Sequence, residues 1–311
     1  MESTTTYDSS YSSKENYTKR IDMNYILYLS KKLGKGGFGQ IYMGENIETN
    51  EKVAIKIEIL KNNNHKRLIN EFEILKYLYG CEGIPKIYKF VKTSSKNLII
   101  MELLGESLEQ LFNNYNRKFS IKTIFQIGYQ MLQRIELLHF KGFIHRDMKP
   151  GNFLIGKKNK SKIYLIDFGL SKKYLDDFNK HIAYREGKGL TGTAHYVSIF
   201  THNGIEQSRR DDLEGIAYIL IYFCKGRLPW QGIHAKKKKE KHKKIMEKKK
   251  SITPEELCNN LPNEILLLLK YSRTLPFEER PDYNYIKLLM LEGLKNLGLK
   301  YDNEFEWNNE R

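Results

Sequence analysis

The spacing of apolar residues changes once along this chain, near residue 102, and that change limits the folds available to it. Residues 53–59 alternate between two faces as a strand does, and residues 97–102 form another extended apolar run. After Gly105 the apolar residues recur every three to four positions, which is the period of a helix. Strands first and helices later, with a short connector between them, predict an α+β chain of two lobes with a cleft between the lobes.

The same patterns give boundaries. A small β-rich lobe is predicted for residues 21–101, a connector for residues 102–105, and a larger helical lobe for residues 106–308. Residues 68–78 are predicted to form a helix inside the smaller lobe. Residues 1–20 are rich in Ser, Thr and Tyr and are predicted to be a disordered tail. The helices expected in the larger lobe are residues 121–140, 213–223 and 262–271.

Amino-acid composition limits the classes of binding partner and the cellular compartment that we expect. Lys and Arg total 53 against 37 Asp and Glu, a formal net charge of +16, which predicts an acidic partner: a phosphate group, an acidic peptide, a nucleic acid or an anionic membrane surface. The three cysteines are odd in number and widely spaced, as expected for reduced thiols of a cytoplasmic or nuclear protein. We find no apolar run near the ~20 residues that cross a bilayer, and no secretion signal in residues 1–20.

A glycine-rich turn opens the smaller lobe. Gly34, Gly36 and Gly39 stand in G-x-G-x-x-G spacing, which lets a backbone approach phosphates without side-chain obstruction. A dinucleotide-binding turn has the same spacing, but it requires a helix directly after the glycines. Here the strand-like residues 40–43 follow instead. A phosphate-binding hairpin and a plain glycine-rich hairpin both remain compatible with this motif alone.

Lys56 lies within the predicted strand at residues 53–59, where its ammonium could point into the cleft. A lone lysine on a strand is usually a solvated edge residue. Glu71, on the helix that follows, offers a counter-charge that would hold Lys56 over a phosphate. Glu73 is predicted to face the other side of that helix. We therefore expect a Lys56–Glu71 pair.

The stretch HRDMKPGN, residues 145–152, is too ordered in its chemistry for a solvated loop, and its proline and glycine exclude a helix. It carries Asp147 and Asn152, and a later DFG sequence carries Asp167. Two carboxylates and an amide form the oxygen-rich set that Mg²⁺ prefers when it shares substrate phosphates. An isolated DFG is usually a turn after a buried strand, but the motifs occur together and in a fixed order.

These motifs have the arrangement of a known family. The chain resembles a eukaryotic protein kinase, and more narrowly the casein kinase 1 family, over residues 22–308. Like that family, it lacks the Ala-Pro-Glu segment of most kinases. The narrower resemblance rests on MELLGESLEQLF, NFLIG, LIDFGLSKKY, REGKGLTGTAHY, GIEQSRRDDLE, LPWQG and RPDYNY.

The resemblance implies a serine/threonine protein kinase with a bilobal fold, which transfers the γ-phosphoryl group of ATP, with Mg²⁺, to acidic or phospho-primed protein substrates. By the same resemblance Asp147 would orient the substrate hydroxyl, Lys149 would neutralise developing charge, and Thr193 would brace Asp147. Asn152 and Asp167 would bind Mg²⁺.

The nucleotide contacts follow from the same resemblance. Lys56 would bind the α- and β-phosphates, held by Glu71. The connector residues Met101, Glu102 and Leu104 would receive adenine, with Met101 limiting the depth behind it.

Departures from the family pattern concern the anion sites. The resemblance implies a pocket for a substrate phosphate formed by His195, Gly232 and Lys241, in which His195 stands where the family usually has arginine. A second implied anion cluster contains Arg146, Lys172 and Lys188. In many kinases such a cluster waits for a phosphate on the activation loop. We expect activity without that step.

The lysine run at residues 236–250 has three interpretations: a solvated helix, a nuclear import signal, or a docking surface for acidic substrates. It lacks interleaved aromatic residues, which argues against nucleic-acid binding. A monomeric kinase is expected. Two alternatives stay open, a pseudokinase scaffold that binds without turnover and a basic protein associated with nucleic acid.

Overall fold

The computed structural model of the protein describes residues 18–36, 39–60 and 67–308. Its N-terminal part is an antiparallel sheet in which strand order is β1-β2-β3-β4-β6-β5, with helix α1 (Arg67–Tyr77) packed on β5 and β6. The predicted helix at residues 68–78 therefore matches α1. The strands are β1 (Thr18–Arg20), β2 (Tyr25–Gly36), β3 (Gly39–Asn46), β4 (Lys52–Ile59), β5 (Ile87–Lys92) and β6 (Lys96–Glu102).

Strand β1 corrects the expected tail boundary at residue 20. Residues 18–20 pair with β2, from Thr18 opposite Tyr28 to Arg20 opposite Ile26. The Arg20 guanidinium also donates to the carbonyls of the turn that follows, at 3.0 and 2.9 Å. Backbone pairing at an open sheet edge can order a polar segment that has no apolar pattern of its own. The remainder of the predicted tail, residues 1–17, lies outside the described residues.

The C-terminal part is mainly helical and is larger, so the predicted two-lobed α+β architecture is confirmed. Its helices are α2 (Leu108–Asn114), α3 (Ile121–Phe140), α4 (Ile199–His202), α5 (Arg209–Lys225), α6 (Lys238–Lys250), α7 (Pro254–Leu257), α8 (Asn263–Thr274) and α9 (Tyr283–Asn296). Four short strands form two pairs beside the cleft: β7 (Phe143–Ile144) with β10 (Lys172–Lys173), and β8 (Phe153–Ile155) with β9 (Ile163–Leu165).

Two long helices form the centre of the larger lobe. Helix α3 has the predicted bounds. Ser120, the residue before it, is its N-cap, and the Ser120 hydroxyl accepts from the Thr123 N–H. Helix α5 begins four residues before its predicted apolar run, at a capping box between Ser208 and Asp211. Its first turn is polar but buried, so apolar spacing could not reveal it. Gly226 ends α5 with a φ of 76°, a conformation that suits glycine.

The lysine run folds as helix α6, whose buried residues are Ile245 and Lys249. Most of its other lysines are exposed. None of the helices in the described part of the chain combines the length and the apolarity that a bilayer crossing requires.

Candidate active site

Three charged side chains from distant parts of the chain meet in the cleft. Lys56 on β4 places its Nζ 2.6 and 2.8 Å from the two carboxylate oxygens of Glu71 on α1, and 2.8 Å from Oδ1 of Asp167. Asp167 follows β9 and is 111 positions further along the chain. The sequence prediction chose Glu71 over Glu73, and the structure has Glu71 buried and Glu73 exposed.

Burial and shared charge set the protonation of this triad. Burial alone would lower the pKa of Lys56, but the two carboxylates outweigh it and raise the pKa above its ordinary value. Burial likewise opposes ionisation of Asp167, yet Lys56 keeps the pKa of that carboxyl below its usual value. Burial raises the pKa of Glu71 to about 7, and the charge of Asp167 adds to this effect. The Lys56 ammonium thus pairs with both carboxylates, and Glu71 has a higher pKa than Asp167.

Asp147 is held at three points within the segment 145–152. Thr193 Oγ1 donates to one carboxylate oxygen at 2.7 Å, and Lys149 Nζ donates to the other at 2.6 Å. Asn152 Nδ2 donates to the Asp147 carbonyl at 2.9 Å and to the Asp147 carboxylate at 3.3 Å. Lys149 also lowers the pKa of Asp167, so its ammonium lies near both carboxylates.

The bend before Asp147 is supported from beneath by Asp212 on α5. Its carboxylate accepts from the backbone N–H groups of His145 and Arg146 at 2.8 and 2.9 Å, and from His139 Nε2 at 2.9 Å. Arg146 has a φ of 68°, a conformation that costs a non-glycine residue on the order of 1 kcal/mol or more. The buried carboxylate offsets that cost by satisfying both N–H groups.

Asp167 also adopts a left-handed conformation, with a φ of 66°. The preceding carbonyl, that of Ile166, accepts from His145 Nε2 at 3.0 Å, and the ring of Phe168 packs edge-on against His145. These contacts tie the segment around Asp167 to the segment around Asp147. Backbone strain at two carboxylate-bearing turns that face one space is typical of a functional site.

The glycine-rich motif forms the hairpin between β2 and β3, in which Gly36 pairs with Gly39. Residues 37–38 lie outside the described residues. A Cβ on Gly39 would lie 2.2 Å from the Ile57 carbonyl oxygen, so the packing of β3 on β4 requires this glycine. A Cβ on Gly34 would meet nothing within 4 Å, so packing does not explain why position 34 is a glycine. Open space above Gly34 is what a phosphate would need.

The connector between the lobes is fixed at both of its ends. The Glu102 N–H donates to the Lys86 carbonyl at 2.8 Å, and the Glu102 carboxylate accepts from the Lys86 N–H at 3.1 Å. The Gly105 N–H donates to the Ile155 carbonyl at 2.8 Å. Of the predicted adenine contacts, Met101 and Glu102 are partly exposed and Leu104 is buried. The connector therefore crosses the cleft in one defined conformation.

The family model for the protein kinase domain matches residues 27–287, which includes both lobes and every cleft residue described above. The chain belongs to the protein kinase family. A protein kinase domain implies the use of ATP and protein substrates. The casein kinase 1 resemblance is finer than this match and is part of the proposal below.

The cleft of this kinase fits a magnesium nucleotide. No group of three or more His, Cys, Asp or Glu side chains suited to a metal occurs in the described part of the chain. Mg²⁺ does not require one, because it typically uses one or two carboxylates and completes its shell with phosphates and water. Asp167 and Asn152 are the residues that would hold it, and their carboxylate and amide oxygens are suitable ligands.

The predicted phosphate pocket is partly assembled in the kinase. His195 is half-buried, and its pKa is lowered by burial and by the nearby charges of Lys241, Lys249 and His242. The Trp230 indole donates to the His195 carbonyl at 2.8 Å, which brings the turn containing Gly232 to this site.

Arg227 adds a cation that the sequence reasoning missed. One of its guanidinium nitrogens would lie 3.7 Å from a Cβ on Gly232, which has a φ of 87°. That nitrogen also donates to the Gln231 carbonyl at 3.2 Å. The pocket implied by the resemblance therefore has an exposed guanidinium beside its glycine, although His195 replaces the usual arginine.

The second predicted anion cluster already contains a negatively charged side chain, that of Glu206. Lys172 and Lys188 pair with the buried carboxylate of Glu206 at 3.0 and 3.3 Å, and Arg146 Nε donates to the Leu170 carbonyl at 2.7 Å. These residues line a cavity of 470 Å³. Sequence reasoning missed Glu206, because it lies on a different segment from both lysines. The Glu206 carboxylate thus offsets part of the positive charge of the cluster.

Proposed function

We propose that the chain is a serine/threonine protein kinase of the casein kinase 1 type, which transfers the γ-phosphoryl group of Mg-ATP to acidic or phospho-primed proteins. The contact that carries this proposal is the set of bonds on Asp147: Thr193 on one carboxylate oxygen and Lys149 on the other. A carboxylate held at both oxygens keeps a fixed orientation toward a substrate hydroxyl. All the residues needed for turnover are present, which favours a catalyst over a scaffold.

In this mechanism Asp147 accepts a hydrogen bond from the serine or threonine hydroxyl and aligns its oxygen with the γ-phosphorus. A bond forms between that oxygen and phosphorus while the bond to the β–γ bridging oxygen breaks, and ADP leaves. Asp147 takes up the hydroxyl proton. Lys149 is close enough to Asp147 to neutralise charge that develops on the transferred group.

Nucleotide binding would use the other half of the cleft. Lys56 would bind the α- and β-phosphates, and Glu71 keeps its ammonium directed into the cleft. Asp167 and Asn152 would hold Mg²⁺, which would supply positive charge to the phosphates of the nucleotide. Because Asp167 pairs with Lys56 at 2.8 Å, its carboxylate would have to exchange or share that partner when a nucleotide is bound.

Positive charge around the cleft supports the preference for acidic or phosphorylated substrates. Lys241 lies near His195, Arg227 lies beside Gly232, and the chain as a whole has a net charge of +16. An acidic substrate would be attracted over several ångströms and would associate faster at low ionic strength. The position of a substrate phosphate at His195 follows from the family resemblance and is part of the proposal.

The proposal is tested with labelled ATP, Mg²⁺ and a phosphate-free acidic protein, comparing wild type with Asp147→Asn. Wild type is expected to label serine and threonine, but not tyrosine, after acid hydrolysis of the product. Asp147→Asn is expected to lose about 10²-fold or more of the rate, since it cannot take the hydroxyl proton. Label on tyrosine would contradict the serine/threonine assignment, and equal rates would contradict the role of Asp147.

A further inference from the structure

One lysine of the lysine-rich helix α6 is buried inside the protein. Lys249 is 0% exposed, whereas its neighbours Lys248 and Lys250 are exposed. Its Nζ donates to the carbonyl of Ala194 at 3.1 Å and to the carbonyl of Val197 at 2.5 Å. Full burial of a lysine is rare, so a specific set of contacts must compensate for the lost hydration.

Those contacts are carbonyl oxygens and aromatic rings. Nζ lies 4.6 Å from the ring centre of Tyr218 and 5.0 Å from that of Trp230. In the described part of the chain Lys249 pairs with no carboxylate, and Glu214 attracts it only from further away. Burial lowers the pKa of Lys249 well below its ordinary value. Both carbonyls keep their hydrogen bonds in either state, because even the neutral amine has two N–H donors.

Two more side chains act on the same stretch of backbone. His202 Nε2 donates to the Ala194 carbonyl at 3.2 Å, and Trp230 Nε1 donates to the His195 carbonyl at 2.8 Å. Burial and the charge of Lys249 lower the pKa of His202 to about 3, so its ring is neutral and carries the proton on Nε2. We call Lys249, His202 and Trp230 the carbonyl anchor.

The anchored stretch contains His195 and lies directly after Thr193, and both residues belong to the proposed site. Thr193, which donates to Asp147 at 2.7 Å, directly precedes it, and the side chain of His195 belongs to the phosphate pocket. We propose that Lys249 is a positioning residue, whose two hydrogen bonds fix residues 193–197 so that Thr193 orients Asp147 and His195 faces the substrate. The inference rests on the proposed function, since it explains how that site is held.

The test compares Lys249→Met with Lys248→Met. Methionine has a similar length and apolar body but no donor, and the control removes the same charge from an exposed position of the same helix. Lys249→Met is expected to lower kcat/KM for a peptide substrate about 10-fold or more, because small displacements of aligning groups are costly. The KM for ATP should stay at the wild-type value. A Lys249→Met enzyme as active as Lys248→Met would overturn the proposal.

A double-mutant cycle separates positioning from general loss of structure. If Lys249 acts through Thr193, the effects of Lys249→Met and Thr193→Val on kcat/KM overlap and are less than additive. Fully additive effects would overturn the proposal. Should Lys249→Met fail to fold, Trp230→Phe removes another donor of the anchor and keeps an aromatic ring. It is expected to lower kcat/KM to a smaller extent, and a wild-type value would count against the anchor.

A readout without catalysis distinguishes this inference from the proposed function. Amide hydrogen exchange in residues 193–198 is expected to be faster in Lys249→Met than in wild type, and unchanged in Lys248→Met. Unchanged exchange in Lys249→Met would overturn the inference, whatever the activity. Faster exchange in a protein that transfers no phosphoryl group would retain the anchor and contradict the proposed function.

Discussion

Thr193 Oγ1 lies 2.7 Å from Asp147 Oδ1 and donates a hydrogen bond to it, which joins two segments 46 positions apart in the chain. Asp147 is buried, and its other carboxylate oxygen is bonded to Lys149. The Thr193 hydroxyl therefore helps to fix the orientation of the Asp147 carboxylate. Its loss should alter catalysis more than stability.

The first prediction concerns this hydrogen bond. Thr193→Val removes the donor and preserves the shape, so kcat should fall about 10-fold, because the carboxylate is free to rotate away from the substrate hydroxyl. Thr193→Ser keeps the hydroxyl and should remain close to wild type. Steady-state kinetics on one peptide measures both. Equal kcat values for the valine and serine variants would contradict the role given to Thr193.

The second prediction separates two glycines of the same motif. Gly39→Ala should destabilise the protein by about 1–3 kcal/mol, because its Cβ would collide with the Ile57 carbonyl. Gly34→Ala should leave the free energy of unfolding within about 0.5 kcal/mol of wild type and raise the KM for ATP. Thermal unfolding and ATP titrations check the pair. An unchanged KM in Gly34→Ala would show that this turn does not cover the phosphates.

The third prediction concerns pH. Burial and neighbouring cations lower the pKa of His195, so the free enzyme gains this charge only as pH falls below the ordinary histidine value near ~6.5. The rate ratio of phospho-primed to unprimed peptide should therefore rise between pH 8 and pH 6. His195→Arg is charged throughout and should give a higher ratio at pH 8.

The arginine variant is also the control for the substrate, whose phosphate loses its second charge near pH ~6. Any pH dependence that remains in His195→Arg belongs to the peptide and is subtracted. A wild-type ratio that is the same at pH 6 and pH 8, and unchanged in His195→Arg, would exclude a phosphate site at His195.

The fourth prediction concerns the internal carboxylate between Lys172 and Lys188. Glu206→Gln removes the charge that occupies this cluster, so added sulfate should raise the unfolding temperature more in this variant than in wild type. Sulfate stabilises most proteins weakly, and Glu186→Gln, an exposed glutamate, controls for that effect. Equal shifts in all three proteins would contradict an anion site.

The same carboxylate bears on regulation. If the cluster is the activation-loop anion site that the resemblance implies, Glu206 already supplies negative charge there, and phosphatase treatment should leave activity intact.

Local pattern was enough to predict the architecture and much of the cleft. The strand that carries Lys56 and the helix that carries Glu71 are visible as periodicity, and helix α3 was predicted at its exact bounds. Residue chemistry predicted that Asp147, Asn152 and Asp167 form an oxygen-rich set for Mg²⁺. The separate roles of Asp147 and Asp167 came from the family resemblance, because no local pattern assigns them.

The residues that sequence reasoning missed depend on long-range contacts. Glu206 pairs with lysines from two other segments, which becomes visible only once the chain is folded. Lys249 is hidden in a run of lysines, where composition predicts solvation for all of them. Its spacing of four from Ile245, one of the few apolar residues of α6, was the only local sign that it faces inward. Strand β1 depends on a neighbouring edge and not on its own side chains.

The central claim is that Lys56 and Asp167 bind one nucleotide while Asp147 orients the hydroxyl group that receives its γ-phosphoryl group. The most direct test measures transfer from labelled ATP with Mg²⁺ to an acidic protein by wild type and by Asp167→Asn, which preserves shape and removes the carboxylate charge. The account predicts incorporation by wild type, and a loss of about 10²-fold or more in the variant with its unfolding temperature retained. Equal incorporation by both proteins would contradict it, and no incorporation by either would favour the scaffold alternative.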